Sequence, residues 1–333
     1  MKKYLLSFFA LCLSATLLAQ EAEQTPSSWS CTGVVGLNAS ATGLVNWAAG
    51  GNNNVNGVAF GKVRLLYNEN NLSWETNLNL EYGLSYIDQK NDPFQKSSDV
   101  IDFKTKFGWQ FHKAWYLTAA AGFQSQFAYG RAYDGTEADD PIISKFLSPS
   151  YTDISVGIDW KPNSIFSLYL SPVAGKITTA YVGDAVEKAN PGLREQMQEK
   201  YGTWAYVKDS NEKKYTNCKA ELGLNFKGSI NYTYKDLKII TTLGLFTPYA
   251  WDKTEVLDAE GKFVGYRDNN RRFGNFDVDW DAAISYQFLK CLNVTLSTSL
   301  KYYNGVKIAD KDGISAERVQ FKGILGLGVG YSF

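Results

Sequence analysis

Apolar and polar residues alternate one for one along much of this chain, over runs longer than most strands. From residue 72 to 86 one side reads Leu72, Trp74, Thr76, Leu78, Leu80, Tyr82, Leu84, Tyr86. The other side reads Ser73, Glu75, Asn77, Asn79, Glu81, Gly83, Ser85. A period of two puts each set on one face of a strand. Strands of soluble proteins usually run about 5–6 residues, whereas a tilted strand crossing a bilayer needs about 9–11. The length of the run therefore points to a membrane strand. The pattern returns at Ile101, Phe103, Thr105, Phe107, Trp109 and Phe111, and again from Phe276 to Phe288 and from Leu292 to Tyr302. Aromatic residues collect near the run ends, where amphipathic rings favour the membrane–water boundary.

The connections alternate as well. Short turns are predicted at 68–71, 112–114, 161–163, 233–236 and 289–291. Long loops are predicted near 47–55, 87–97, 131–149, 178–216, 252–272 and 305–315. This layout predicts an all-β, up-and-down transmembrane barrel of about twelve antiparallel strands, with both termini on the short-turn, periplasmic side. The last strand carries Val319, Phe321, Gly323, Leu325, Leu327, Val329, Tyr331 and Phe333 on one face. With Gly328 further back, the Tyr331 and Phe333 ending resembles the C-terminal signal read by the outer-membrane barrel-assembly machinery. That strand must pair with one near 31–44, because an open edge is untenable in hydrocarbon.

The first twenty residues read as a secretory signal: Lys2 and Lys3, an apolar stretch from Tyr4 to Leu13, then small residues up to Gln20. The apolar stretch is too short for a roughly 20-residue membrane helix. The expected organisation is a signal peptide over 1–20 and a barrel over 21–333, located in the cell outer membrane. Losing Lys2 and Lys3 leaves 32 basic against 34 acidic residues, so no basic nucleic-acid footprint exists. Aromatics at 15%, 29 glycines and 2 methionines suit sheet better than helix. Cys12 leaves with the signal and lacks a lipobox. Cys31, Cys218 and Cys291 match no zinc spacing. A Cys31–Cys291 disulfide is one reading; three buried or reduced thiols is the preferred one.

Chemistry is sparser. The lumen-lining candidates are Lys62, Arg64, Glu75, Glu81, Asp102, Lys104, Lys106, Asp277, Asp279, Asp281 and Lys301, and the same face would carry Lys219, Glu221, Lys227, Lys238 and Lys322. Such mixed charge either fills the lumen with ion pairs and water or forms a selective constriction. Asp277, Asp279 and Asp281 stand about 7 Å apart along a strand, too far for one metal to take all three. Ion pairing, with Lys301 on the next strand as one partner, is the expectation there. A Ser–His hydrolase needs an activating histidine. The single histidine, His112, falls in a short turn at the wrong end for the outer leaflet. Among the loops, Pro191–Lys200 predicts a short helix, and 46–54 and the charged stretch with Arg131, Asp134, Glu137, Asp139 and Asp140 are candidate binding segments. No phosphate-cradling Gly-rich turn or cofactor motif occurs.

Several stretches resemble a family of Bacteroidetes outer-membrane barrels classed as a domain of unknown function. They are Asn46-Trp47-Ala48-Ala49-Gly50-Gly51-Asn52, Ser73-Trp74-Glu75-Thr76-Asn77, Gly122-Phe123-Gln124-Ser125-Gln126-Phe127, Ile143-Ser144-Lys145-Phe146-Leu147-Ser148-Pro149, Leu170-Ser171-Pro172 and Phe276-Asp277-Val278-Asp279-Trp280. The chain departs from that family at 95–101, where a basic-Thr-Asp run is missing. The resemblance implies an exported outer-membrane barrel of Bacteroidetes lineage and brings no activity with it. The expected function is a non-enzymatic barrel, either a narrow porin-like channel or an occluded envelope scaffold. Its partners would be outer-membrane lipid, the assembly machinery during biogenesis, and a small solute or another envelope protein. A binding or assembly role is the alternative, and a lipid hydrolase the remote one.

Overall fold

The computed structural model describes residues 28–42, 54–87, 93–131, 142–207, 212–250, 253–257, 262–268, 271–289, 292–304, 307–309 and 315–332. Twelve antiparallel strands form one closed barrel, each hydrogen-bonded to its sequence neighbours around the ring. They are β1 (Trp29–Thr42), β2 (Asn54–Glu69), β3 (Leu72–Ile87), β4 (Phe94–His112), β5 (Trp115–Ser125), β6 (Ser150–Trp160), β7 (Phe166–Thr179), β8 (Cys218–Tyr234), β9 (Leu237–Pro248), β10 (Asp277–Leu289), β11 (Leu292–Tyr302) and β12 (Gln320–Ser332). Closure comes from β12 pairing with β1, Leu327 opposite Ala39 through Ser332 opposite Val34. Closure satisfies the ladder groups that an open edge would strand in lipid. Phe333 lies outside the described residues, as do the signal segment and most of 46–54.

Strand pairing carries the alternation through to two faces. Outward positions include Trp74, Tyr82, Phe103, Phe107, Leu117, Ile154, Val156, Leu222, Trp280, Phe321, Leu325 and Leu327, all exposed. An exposed apolar band around a closed sheet is a surface made for lipid. Aromatic clusters bound it. At the short-turn end Trp29 lies 4.9 Å from Tyr67 and 5.9 Å from Trp74, and Trp160 packs on Trp115 and Phe166. At the other end Tyr86 meets Phe94 at 5.2 Å, and Tyr249 stacks on Phe273 at 5.8 Å. Two outward indoles also find polar partners on neighbouring strands: Trp74 donates to Thr105 Oγ1 and Trp280 to Thr241 Oγ1. An N–H that found no partner in hydrocarbon would cost several kcal/mol, on the order of an unsatisfied buried amide.

The ladder is interrupted at a bulge in β7, at the Leu170-Ser171-Pro172 stretch. Ile158 faces Leu170 but Val156 faces Val173, so the register shifts there. Proline has no N–H to give, which restricts it to such interruptions within a sheet. The Ser171 hydroxyl reaches the Val156 and Val173 carbonyls, at 2.8 and 2.9 Å. Opposite the bulge stands Gly157, where the Leu170 carbonyl and Ser171 Cα occupy the space a Cβ would need. The bulge matters beyond packing, because it inverts which parity faces inward for the rest of β7.

Several loops differ from the sequence reading. The expected long loop at 87–97 is shorter, since β4 begins at Phe94 and Ser97 is the residue left out of register against β3. The polar run there looks like a loop, but its charges are consumed locally. Lys96 Nζ lies 2.8 Å from Asp99 Oδ2, and Asp99 accepts the Phe127 and Ala128 amides at 2.7 and 2.8 Å. The other long connections carry structure of their own. Two-stranded hairpins pair Gly130–Arg131 with Ile142–Ser144, Trp204–Tyr206 with Lys213–Tyr215, Lys253–Leu257 with Phe263–Asp268, and Lys307–Ala309 with Ser315–Glu317. Between β7 and β8 come α1 (Asp184–Ala189) and α2 (Leu193–Lys200). The helix expected at 191–200 is α2, starting after Gly192, whose φ of 85° suits glycine. Helix α1, six residues long, is too short to show a helical period. Leu193 and Met197, one turn apart, bury into a small apolar cluster with Ile142, Ala180 and Val182. Asp134, Glu137, Asp139 and Asp140 lie outside the described residues, and Arg131 ends its hairpin strand exposed.

Of the three thiols read as buried or reduced, two are reduced but not buried. Cys31 and Cys218 are free and exposed. Cys31 is paired in register with outward Leu65, and Cys218 lies at the loop-side start of β8. Cys291 lies outside the described residues. The positions differ in medium: Cys31 sits just inside the short-turn girdle, Cys218 four residues beyond the Leu222 rung that carries Tyr249. In a Cys291→Ser background, a membrane-impermeant maleimide added to intact cells is expected to label Cys218. Cys31 should react only after detergent is added. Equal labelling of both before detergent would show that the lipid band is misplaced.

Candidate functional site

The inner face carries the charge. Contacts between strands that are not neighbours show which side chains point inward, since only the lumen lies between them. Lys106 on β4 reaches Asp159 on β6 past β5, with Nζ 2.5 Å from Oδ2. Lys176 on β7 reaches Asp277 on β10 past two strands, at 2.8 Å.

The sequence-predicted residues fall into three groups. Near the short turns, Arg64 Nε donates to Glu75 at 2.8 Å and Asn77 adds a second donor at 3.1 Å, while farther up Lys62 stands 4.0 Å from Glu81. In the middle, Lys104 pairs with Asp102 at 2.8 Å, two residues away on the same strand face. Nearer the short turns, level with Glu75, Lys106 belongs with Asp159, which also takes Lys161 at 3.2 Å. At the long-loop end, the acidic row separates into three different environments. Asp277 is almost wholly buried and is held by Lys176, by both terminal nitrogens of Arg271 at 3.1 Å, and by the Asn304 amide at 3.0 Å. Asp279 accepts the Tyr303 hydroxyl at 2.6 Å and lies 3.4 Å from Lys301. Asp281 is exposed, level with Thr242 and Ser299. Among the described residues, no group of three or more His, Cys, Asp or Glu side chains is arranged to hold a metal.

Arg271 is the centre of the mouth. It belongs to the loop before β10, and its side chain dips back between strands. Its Nε and Nη2 donate to both Glu221 oxygens at 2.5 and 2.9 Å. Its Nη1 also donates to the Asn304 carbonyl at 2.7 Å. One guanidinium thus ties β8, β10 and the segment after β11 together in the fork geometry that only arginine offers. Burial works against the cation, but Asp277 and Glu221 outweigh it and hold its pKa above the ordinary arginine value. The loop is anchored a second time by Thr247, whose hydroxyl oxygen accepts the Gly274 amide at 2.9 Å.

Sequence reasoning missed Arg271, Lys176, Asp159 and Lys161. Arg271 stands beside Arg272 in a loop without period, so nothing local distinguishes it. Lys176 falls on the outward parity if alternation is extended from Leu168 and Leu170; the bulge turns it inward. His112 is exposed at the end of β4, by the short turn.

A closed antiparallel barrel with a lipid-facing band between two aromatic girdles and a charged interior defines an outer-membrane β-barrel protein. A family described as "Protein of unknown function (DUF3078)" matches residues 39–130, from the end of β1 into the connection after β5. No curated protein matches in sequence. Among solved structures, the translocator domain of the autotransporter NalP from Neisseria meningitidis is 10% identical, with 98% of this chain and 95% of that one covered and a TM-score of 0.35. An outer membrane channel from Pseudomonas putida F1 is also 10% identical, with 94% and 97% covered and a TM-score of 0.38. The NanC porin is 9% identical, with 90% and 97% covered and a TM-score of 0.35. At these identities and scores the likeness goes no further than barrel architecture.

Proposed function

We propose that this chain is a non-enzymatic, narrow porin-like channel of a Bacteroidetes outer membrane, held closed at its extracellular mouth by Arg271. The observation that carries this reading is the buried guanidinium drawn from a loop into Glu221 and Asp277. A scaffold would not require a loop charge inside the barrel, and removing one partner of a buried ion pair is costly. A loop that carries its charge into the mouth is placed to close it. Below the mouth, Lys62, Arg64, Asp102, Lys104 and Lys106 line a path with charges of both signs, the arrangement that hydrates a pore and discriminates solutes. In this reading residues 1–20 direct export and are removed, and the ending with Gly328, Tyr331 and Phe333 is read by the assembly machinery.

Reconstitution tests the channel. The purified barrel in planar bilayers is expected to show small, infrequent steps in KCl, and proteoliposomes should swell slowly in small solutes. If neither the native protein nor a mouth-opened variant conducts or swells, the channel reading fails and an envelope scaffold replaces it.

A further inference from the structure

Below the mouth the balance of fixed charge turns positive. At the mouth, Lys176, Arg271 and Lys301 face Glu221, Asp277 and Asp279, which is near neutrality. Nearer the short turns one carboxylate serves two amines. Asp159 is fully buried and lies 2.5 Å from Lys106 and 3.2 Å from Lys161. The two amines rest on aromatic faces, Lys106 at 5.1 Å from the Tyr169 ring and Lys161 at 4.9 Å from the Tyr116 ring. Tyr169 is in register with Asp159 on one side and with Lys227 on the other. The Lys227 amine therefore projects into the lumen at the same level. It takes part in no ion pair among the described residues, and the charges acting on it are the like charges of Lys104 and Lys106 and the opposite charges of Asp153 and Asp102.

At this level Lys104, Lys106, Lys161 and Lys227 face Asp102, Asp153 and Asp159, so positive charge is left over. Like charges enclosed together repel, and an enclosed ammonium without a partner is costly. Each ammonium has three N–H donors, and neither Asp159 oxygen is in a well-aligned hydrogen bond with either amine. The tyrosine faces steady the amines without consuming those donors. Free donors and surplus positive charge facing water inside a narrow wall attract a mobile anion.

We propose that Lys106, Lys161 and Lys227 form a lumen site for a small oxyanion, a phosphate or carboxylate group carried by the permeating solute. Lysine ammoniums act as point charges without the fork that fixes one anion shape. The site therefore selects by charge, and both oxyanion types are accepted. This rests on the channel reading for its role, but the binding itself can be measured separately.

The test uses the full mature chain in two formats. In bilayers under a KCl gradient, the native protein is expected to give an anion-selective reversal potential, and millimolar inorganic phosphate should reduce the chloride current. Lys227→Glu should move the reversal potential towards cations. Lys235→Glu, a charge change of the same size in an exposed turn, should not. In detergent, calorimetric titration with inorganic phosphate should show binding that weakens at least tenfold in Lys227→Glu, with heat-modifiable gel mobility confirming that the variant folds. Acetate in place of phosphate shows whether carboxylates share the site. Cation selectivity in the native protein, or equal shifts from Lys227→Glu and Lys235→Glu, would overturn the proposal. If the barrel does not conduct at all, the channel reading falls and calorimetry alone decides: no phosphate heat from the native protein then removes the site too.

Discussion

Replacing Arg271 by alanine is expected to raise single-channel conductance several-fold while lowering stability. The guanidinium makes contacts to both Glu221 oxygens, both Asp277 oxygens and the Asn304 carbonyl. Its removal leaves Glu221 without its described partner and leaves Asp277 to Lys176 and the Asn304 amide. Stripping one partner from a buried pair costs about 3–5 kcal/mol. Part of that cost is relieved here because the freed carboxylates can take up lumen water. The urea midpoint of the refolded barrel measures the loss. Arg271→Lys is the informative control: it keeps the charge and loses the fork, so conductance should fall between the two. Because the cluster is buried, moderate salt should mimic the alanine variant only weakly. A barrel that loses stability yet conducts as before would show that Arg271 braces the wall without closing the mouth.

Deleting residues 327–333 is expected to abolish folding into the membrane. Every described rung between β12 and β1 comes from Leu327–Ser332, opposite Val34–Ala39. Without them two strand edges face hydrocarbon, and each stranded backbone group there costs several kcal/mol, roughly the price of an unsatisfied amide in an apolar medium. The expected readout is complete loss of the fast-migrating folded species on unheated gels, both in cells and after refolding into lipid vesicles. Removing Phe333 alone separates closure from recognition. All described rungs survive that deletion, so refolding into vesicles should be nearly normal while assembly in cells slows. If both deletions behave alike in vesicles, closure does not depend on the rungs described.

The closing strand is plain in the sequence because lipid on one side and water on the other impose a period of two. Val319, Phe321, Leu325 and Leu327 record that difference in medium residue by residue. The same reasoning exposed β3, β10 and β11 nearly to their ends, and the alternation of short turns with long loops supplied the strand count. It failed where polar residues remain in a strand. Lys96 and Asp99 look like loop because their charges need partners, and the partners lie in the connection after β5. The quoted stretches Gly122–Phe127, Leu170–Pro172 and Phe276–Trp280 include such a loop anchor, a bulge and a mouth carboxylate. None of those purposes shows in the local pattern.

The alternation determined by itself that this chain forms long strands with one apolar and one polar face, and hence a closed barrel with charges inside, because facing is a local property of a pleated strand. Which charges meet was decided only by the tertiary structure. Lys176 points inward because a bulge at Ser171 and Pro172 inverts the parity behind it. Arg271 reaches the mouth because a loop folds back over strands 50 residues away from it in sequence, as the Glu221 separation records. Lys227 joins Lys106 and Lys161 because curvature brings β4, β6 and β8 around one lumen. Ion pairing depends on distance through space, and a periodic pattern along the chain carries no measure of that distance.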